Sequence, residues 1–141
     1  GYLAIVVTNQ PVIARGEVTV DELNKIHNKM ETLLGKEGAY VDAIYFCPHH
    51  PDSGFEGEIK ELKIDCDCRK PKPGMLFQAA DDFNIDLSKS WIIGDGERDV
   101  LAGKHACCKT ALIGDDDYGQ DFAAGSLKKL LQPLFIRKWN L

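Results

Sequence analysis

Two short segments concentrate the reactive side chains of this chain: Cys47-Pro-His49-His50-Pro51 and Cys66-Asp-Cys68-Arg69-Lys70-Pro71. Their spacing is C-x-H, sixteen intervening residues, then C-x-C. Two tight pairs of thiol and imidazole ligands, separated by a loop, form the pattern of a structural zinc held by four protein groups. On this reading Cys47, His49, Cys66 and Cys68 are the ligands. His50 competes with His49, and the C-x-H spacing that mirrors C-x-C favours His49. The second pair runs directly into Arg69, whose planar fork suits phosphate oxygens, and Lys70, a point positive charge. Thr8 offers a hydroxyl just past an apolar run, and Asp95 and Asp99 offer hard carboxylate oxygens of the kind Mg²⁺ prefers. Cations and a hydroxyl for phosphate oxygens, with carboxylates for Mg²⁺, describe a phosphoryl-transfer site. Each piece alone has a blander reading: spare thiols, a turn residue, solvated surface charges, a helix N-cap. The argument therefore rests on where the fold puts them.

Apolar runs and helical patterns alternate along the chain. Leu3-Ala-Ile-Val-Val7 and Ala43-Ile-Tyr-Phe46 are short apolar runs, which read as buried parallel strands covered on both faces. Thr19-Val-Asp-Glu22 has capping-box spacing, and Leu23, Ile26, Met30, Leu33 and Leu34 follow at helical intervals that predict a core-facing stripe ending at Gly35 or Gly38. Further helices are predicted over 74–83, 98–106 and 126–131, and strands over 90–93 and 110–113. Cys107 and Cys108 read as small buried hydrophobes. Such alternation predicts an α/β domain with a Rossmann-like parallel sheet and right-handed crossovers. In such sheets ligands bind beyond the C-terminal ends of the strands. Thr8-Asn9, the Cys47 loop with Arg69-Lys70, and Asp95 with Asp99 all fall at such ends, so convergence on one crevice is expected. Residues 48–73 form a long, proline-rich stretch without periodicity, and a loop of that length is unusual unless function or a metal holds it. The zinc loop, 47–68, supplies that reason.

Size and charge narrow the class. At 141 residues the chain is expected to be a single domain, 1–141. A net charge of -5, with no basic face, argues against a nucleic-acid partner. No apolar run reaches membrane-spanning length. Five cysteines, three of them in metal-type pairs, suit a reducing cytoplasm and not a disulfide framework.

The segments Val7-Thr8-Asn9-Gln10, Ile13-Ala14-Arg15-Gly16, Cys47 to Pro51, Cys66 to Pro71 and Gly94-Asp95 resemble the zinc-containing haloacid-dehalogenase-like phosphatases. The likeness covers residues 1 to about 113, and its most specific element is the Cys–His loop followed by Arg-Lys-Pro. The D-glycero-D-manno-heptose 1,7-bisphosphate 7-phosphatases match best, and histidinol-phosphate phosphatase is the alternative. The resemblance implies that Thr8 binds the transferred phosphoryl group, Lys70 neutralises it and the nucleophile, and Asp95 binds Mg²⁺ with Asp99 in support. It implies substrate contacts for Asn9, Arg15 and Arg69, a closed structural zinc at Cys47, His49, Cys66 and Cys68, and a small phosphorylated substrate acted on by a monomer.

One family element is absent. The Asp-x-Asp strand, which supplies the nucleophile and the general acid, has no counterpart before Thr8. Asp65-Cys66-Asp67 has the spacing but lies inside the zinc pattern, and Asp115-Asp116-Asp117 reads as a solvated acidic turn. The expectation is a domain cut before Gly1, without its central strand and inactive alone. A zinc-stabilised phosphate-binding module without catalysis is the remaining alternative.

Overall fold

The computed structural model of the chain describes residues 1–135. They form two compact units, Gly1–Arg69 and the described residues from Lys70 on, and every strand pairing in both is parallel. The α/β class with parallel sheets and flanking helices is thus the one the alternation predicts.

The first unit contains β1 (Ile5–Asn9), α1 (Val20–Lys36) and β2 (Ala43–Cys47). β1 and β2 pair from Ile5–Ala43 to Asn9–Cys47, so Thr8 lies opposite Phe46 and the strands end level. The capping box forms as its spacing predicts: Glu22 N–H donates to Thr19 Oγ1 at 3.2 Å and Thr19 N–H to the Glu22 carboxylate at 2.8 Å. Two expectations need correction. The strands are half-buried, with Cys47 alone fully enclosed. Of the five apolar residues assigned to the core face of α1, only Leu23 is buried, while Ile26 and Leu33 are 58% and 50% exposed. One helix can cover one sheet face, and two strands roughly 4.8 Å apart offer too narrow a bed for its whole apolar stripe.

The second unit contains α2 (Gly74–Phe83), β3 (Trp91–Gly94), α3 (Glu97–His105), β4 (Lys109–Ile113), β5 (Phe122–Ala124) and α4 (Leu127–Phe135), with sheet order β3-β4-β5. β5 was not foreseen. Its three residues, Phe-Ala-Ala, carry no β-branched signal. A side chain brings the segment in: the Asp121 carboxylate accepts from Thr110 N–H at 2.7 Å and from Thr110 Oγ1 at 3.1 Å. Thr110 is fully buried, so these bonds satisfy a hydroxyl that would otherwise be costly. Cys107 also departs from expectation. It caps α3 at φ 58 and is exposed, not buried. β1 and β3 are terminal strands of their respective sheets.

α3 lies tightly on β3 and β4 because Gly103 lets it. A Cβ there would collide with Ile92 Cγ2 and lie 2.7 Å from Thr110 Cγ2. Alanine would gain about 1 kcal/mol of helix propensity, but overpacking a close-packed core costs about 1–3 kcal/mol. Gly103→Ala is therefore expected to be net destabilising, with a lower urea midpoint at unchanged slope. A rise in the midpoint would contradict this packing.

Candidate metal centre and phosphate-handling residues

β2 delivers Cys47 into the interior at its C-terminal end, and the chain then leaves the sheet. Its exit is fixed by backbone bonds. Gln10 N–H donates to Cys47 O at 2.8 Å, and the fully buried Ala14 donates to Pro48 O at 3.2 Å and accepts from Ile59 N–H at 2.9 Å. Gly16, at φ 72, continues this support: a Cβ there would strike the Gly57 carbonyl. The Ile13-Ala14-Arg15-Gly16 segment is thus the floor of the 47–68 loop, a structural role that motif reading had left unassigned.

On that floor Cys47, His49, Cys66 and Cys68 bring their ligand atoms within 4.8 Å of one another. Neighbouring atoms are 3.6 Å apart for Cys47 Sγ–His49 Nδ1, 3.5 Å for Cys47–Cys66, 3.4 Å for His49 Nδ1–Cys68 and 3.3 Å for Cys66–Cys68. Zinc bond lengths of roughly 2.3 Å to sulfur and 2.0 Å to nitrogen give tetrahedral edges of about 3.5–3.8 Å, so the donor set fits zinc. The ambiguity between the histidines is resolved. His50 Nδ1 lies 3.1 Å from the backbone N–H of Asp52 and stands outside the cluster.

Burial pushes the Cys47 thiol up, and the other two sulfurs beside it add to burial in pushing Cys68 well above the usual range. Burial also opposes ionisation of Cys66, but hydrogen bonds from Cys68 and Cys47 bring that thiol below its ordinary value. The three crowded thiols oppose one another's ionisation, so a dication binding all of them must expel protons.

The loop also anchors Arg69, whose Nη1–H donates to His49 O at 3.3 Å. The Arg15 guanidinium pairs locally with the Glu17 carboxylate at 2.8 Å. Thr8 Oγ1 accepts from Gln10 Nε2 at 3.1 Å, and Asn9 closes β1 opposite Cys47.

In the second unit, Lys70 Nζ donates to Asp99 Oδ1 at 2.5 Å, with both side chains largely buried. Asp99 reaches it across Gly94, where a Cβ would overlap the carboxylate. The last residue of β3 must therefore be glycine for this pair to form. Asp99 has the position of a counter-ion for Lys70, a role its spacing alone did not reveal. Asp95 follows β3, exposed, at the turn into α3. The alternative aspartates behave as expected of a turn: Asp117 Oδ1 accepts from Gly119 N–H at 2.8 Å, and Asp116 from the Tyr118 hydroxyl at 3.2 Å.

The comparisons with known proteins bear on the arrangement as a whole. The family model described as HAD-hydrolase-like matches residues 67–129. The crystal structure of D,D-heptose 1,7-bisphosphate phosphatase from B. bronchiseptica, complexed with magnesium and phosphate, is 32% identical. It superposes with a TM-score of 0.79 over 96% of this chain and 75% of that one. The chain belongs to the haloacid-dehalogenase-like hydrolase family. Within the family it is 45% identical over 113 residues to the D-glycero-beta-D-manno-heptose-1,7-bisphosphate 7-phosphatase of Pasteurella multocida. It is 42% identical over 113 residues to the D-glycero-alpha-D-manno-heptose-1,7-bisphosphate 7-phosphatase of Burkholderia mallei. Both alignments cover 80% of this chain and only 59% and 58% of the relatives, so the chain spans a little over half their length. Among the described residues, no helix is long and apolar enough to cross a membrane.

Two outcomes follow for the metal centre. His49→Ala is expected to lose most of its zinc, while His50→Ala keeps about one equivalent per folded chain by elemental analysis. Equal retention in both would remove His49 from the ligand set. Because protonated thiols must ionise on binding, zinc affinity should fall as pH falls. Competition with a chromophoric chelator should show at least about tenfold weaker binding near pH 6 than near pH 8.

Proposed function

We propose that this chain carries the phosphate-handling part of a Mg²⁺-dependent phosphatase of small phosphorylated sugars. The substrate class is D-glycero-D-manno-heptose 1,7-bisphosphate, hydrolysed at the 7-phosphate through an aspartyl-phosphate intermediate. The observation that carries this reading is the Lys70–Asp99 pair, set against Gly94 and next to Asp95. In such a pair the ammonium is fixed and partly neutralised before any phosphate arrives, which is the preorganisation phosphoryl transfer needs. The 45% identity to a heptose bisphosphate phosphatase supports the substrate class.

The roles are these. Lys70 compensates charge on the phosphoryl oxygens and the nucleophile. Thr8 donates its hydroxyl to the same group. Asp95 binds Mg²⁺, which supplies Lewis-acid polarisation when present, and Asp99 supports it through Lys70. Asn9, Arg15 and Arg69 contact the sugar phosphate, of which Arg69 is the best prepared through its bond to His49 O. For Arg15, the role requires release from Glu17. The zinc is structural, since four protein ligands leave no position for water. The proposal takes 1–141 as a single domain of a monomeric cytoplasmic enzyme.

A non-catalytic phosphate-binding module is the second reading. One experiment separates them. The chain alone is expected to release no phosphate from heptose bisphosphate in Mg²⁺. The same chain joined behind the Asp-x-Asp segment of a relative is expected to do so, with a higher kcat/KM than for histidinol phosphate. In that fusion, Lys70→Gln and Asp95→Asn should each lower kcat by about 10²-fold or more. Release by the chain alone, or a folded, zinc-loaded fusion that stays inert, would overturn the reading.

A further inference from the structure

The 47–68 loop contains a second cluster that the metal centre does not use. An open-mouthed cavity of about 430 Å³ is lined by Ser53, Gly54, Glu58, Lys60 and Lys63. That volume lies within the roughly 300–1,000 Å³ of small-molecule sites. It far exceeds the ~10–15 Å³ that one bridging water needs.

The polar groups of the cavity wall are unequally satisfied. Glu58 is committed: Gly54 N–H donates to both its oxygens at 3.0 Å and Phe55 N–H to one at 3.1 Å. Lys63 is not. Its side chain is 2% exposed, yet Nζ has no hydrogen-bond acceptor among the described residues. The nearest compensation is the Glu58 carboxylate at 3.7 Å and the face of Phe55 at 5.2 Å from its centroid. Both are attractive, but neither satisfies an N–H, and a buried ammonium without an acceptor is among the costliest arrangements in a protein. Lys60 and Ser53, both exposed, add a second cation and a hydroxyl. The unspent capacity of the wall is thus all donor.

We propose that this cavity binds a phosphate group, held by Lys63 and Lys60 with Ser53 donating a further bond. Several acceptor oxygens on one compact anion match a buried ammonium that lacks a close acceptor, beside a second cation. Lys63 Nζ is shielded from solvent, so a neighbour must move for a ligand to reach it. Phe55, 60% exposed and standing between Gly54 and Gly57, both at positive φ, has the room to do so. The inference is independent of the phosphatase reading, because it concerns residues with no role in it. The group can arrive as inorganic phosphate or as the phosphoryl group of an organic ester.

The test is a two-dimensional amide NMR titration of the zinc-loaded chain with inorganic phosphate and, separately, with glucose 1-phosphate, at ionic strength matched with sodium chloride. Saturable shifts are expected at the Gly54 and Phe55 amides. A tighter midpoint for the ester would identify an organic phosphate as the ligand, and equal midpoints would identify the free ion; both support the site. Lys63→Met and Lys60→Gln should each weaken binding by about tenfold, as expected for loss of a charged hydrogen bond, at unchanged zinc content. If Lys63→Met loses zinc or dispersion, Lys60→Gln decides, since its side chain is exposed. No saturable shift at Gly54 and Phe55, shifts confined to Gly94 and Gly96, or an unchanged midpoint in Lys60→Gln would each overturn the proposal.

Discussion

Three thiols and an imidazole packed within 4.8 Å of one another are the constraint on which the first unit depends. Thiols crowded in this way resist ionising together, and a dication removes the conflict by accepting all of them as ligands. The 47–68 segment has little else to hold it, since its one regular element is the single turn Lys60–Leu62. Ala14 secures the loop from below through Pro48 and Ile59. The metal ligands secure it from within, and Arg69 inherits its direction from the His49 carbonyl. The ligand-type cluster and Arg69 are therefore adjacent on the backbone without sharing side-chain atoms.

The second unit reaches its order through close packing. Two glycines, Gly94 and Gly103, remove the methylene that would stand between a helix and a strand. Gly103 lets α3 descend onto Ile92 and Thr110, and Gly94 lets the Asp99 carboxylate cross the end of β3 to Lys70. The same helix is thus a packing element along its middle and an electrostatic one in its first turn. Helix N-termini suit carboxylates, and Asp99 stands in the first turn of α3.

What the sequence made legible divides along these lines. The capping box at Thr19, the span of α2 and the metal ligands came through because each is a local signal of fixed spacing. The stripe on α1 was over-read, since periodicity reports which face is apolar and not how much sheet exists to receive it. β5 was invisible because it is drawn in by the bond of Asp121, just before it, to Thr110, eleven residues earlier. The same limit applied to the site. Lys70 and Asp99 were each recognisable, but their pairing depends on a missing Cβ at Gly94. The Arg15–Glu17 pair, two residues apart, is likewise not written in any motif. The buried state of Lys63 had no sequence signature, because an exposed and an enclosed lysine are written identically.

The position of the four ligands has a consequence for how this loop can change over generations. The Cys47–His49 and Cys66–Cys68 pairs flank the 50–65 segment and converge, a closure that a bound metal would lock. Closure entropy grows only slowly with length, by about 0.6 kcal/mol for each doubling. Insertions, deletions and wholesale changes of composition between the two ligand pairs are therefore cheap, provided Cys47, His49, Cys66 and Cys68 stay. The cavity with Lys60 and Lys63 lies entirely inside that permissive interval. A lineage can remodel this surface while the four ligand-type residues keep their places, so a bound metal would act as a license for divergence as much as a brace.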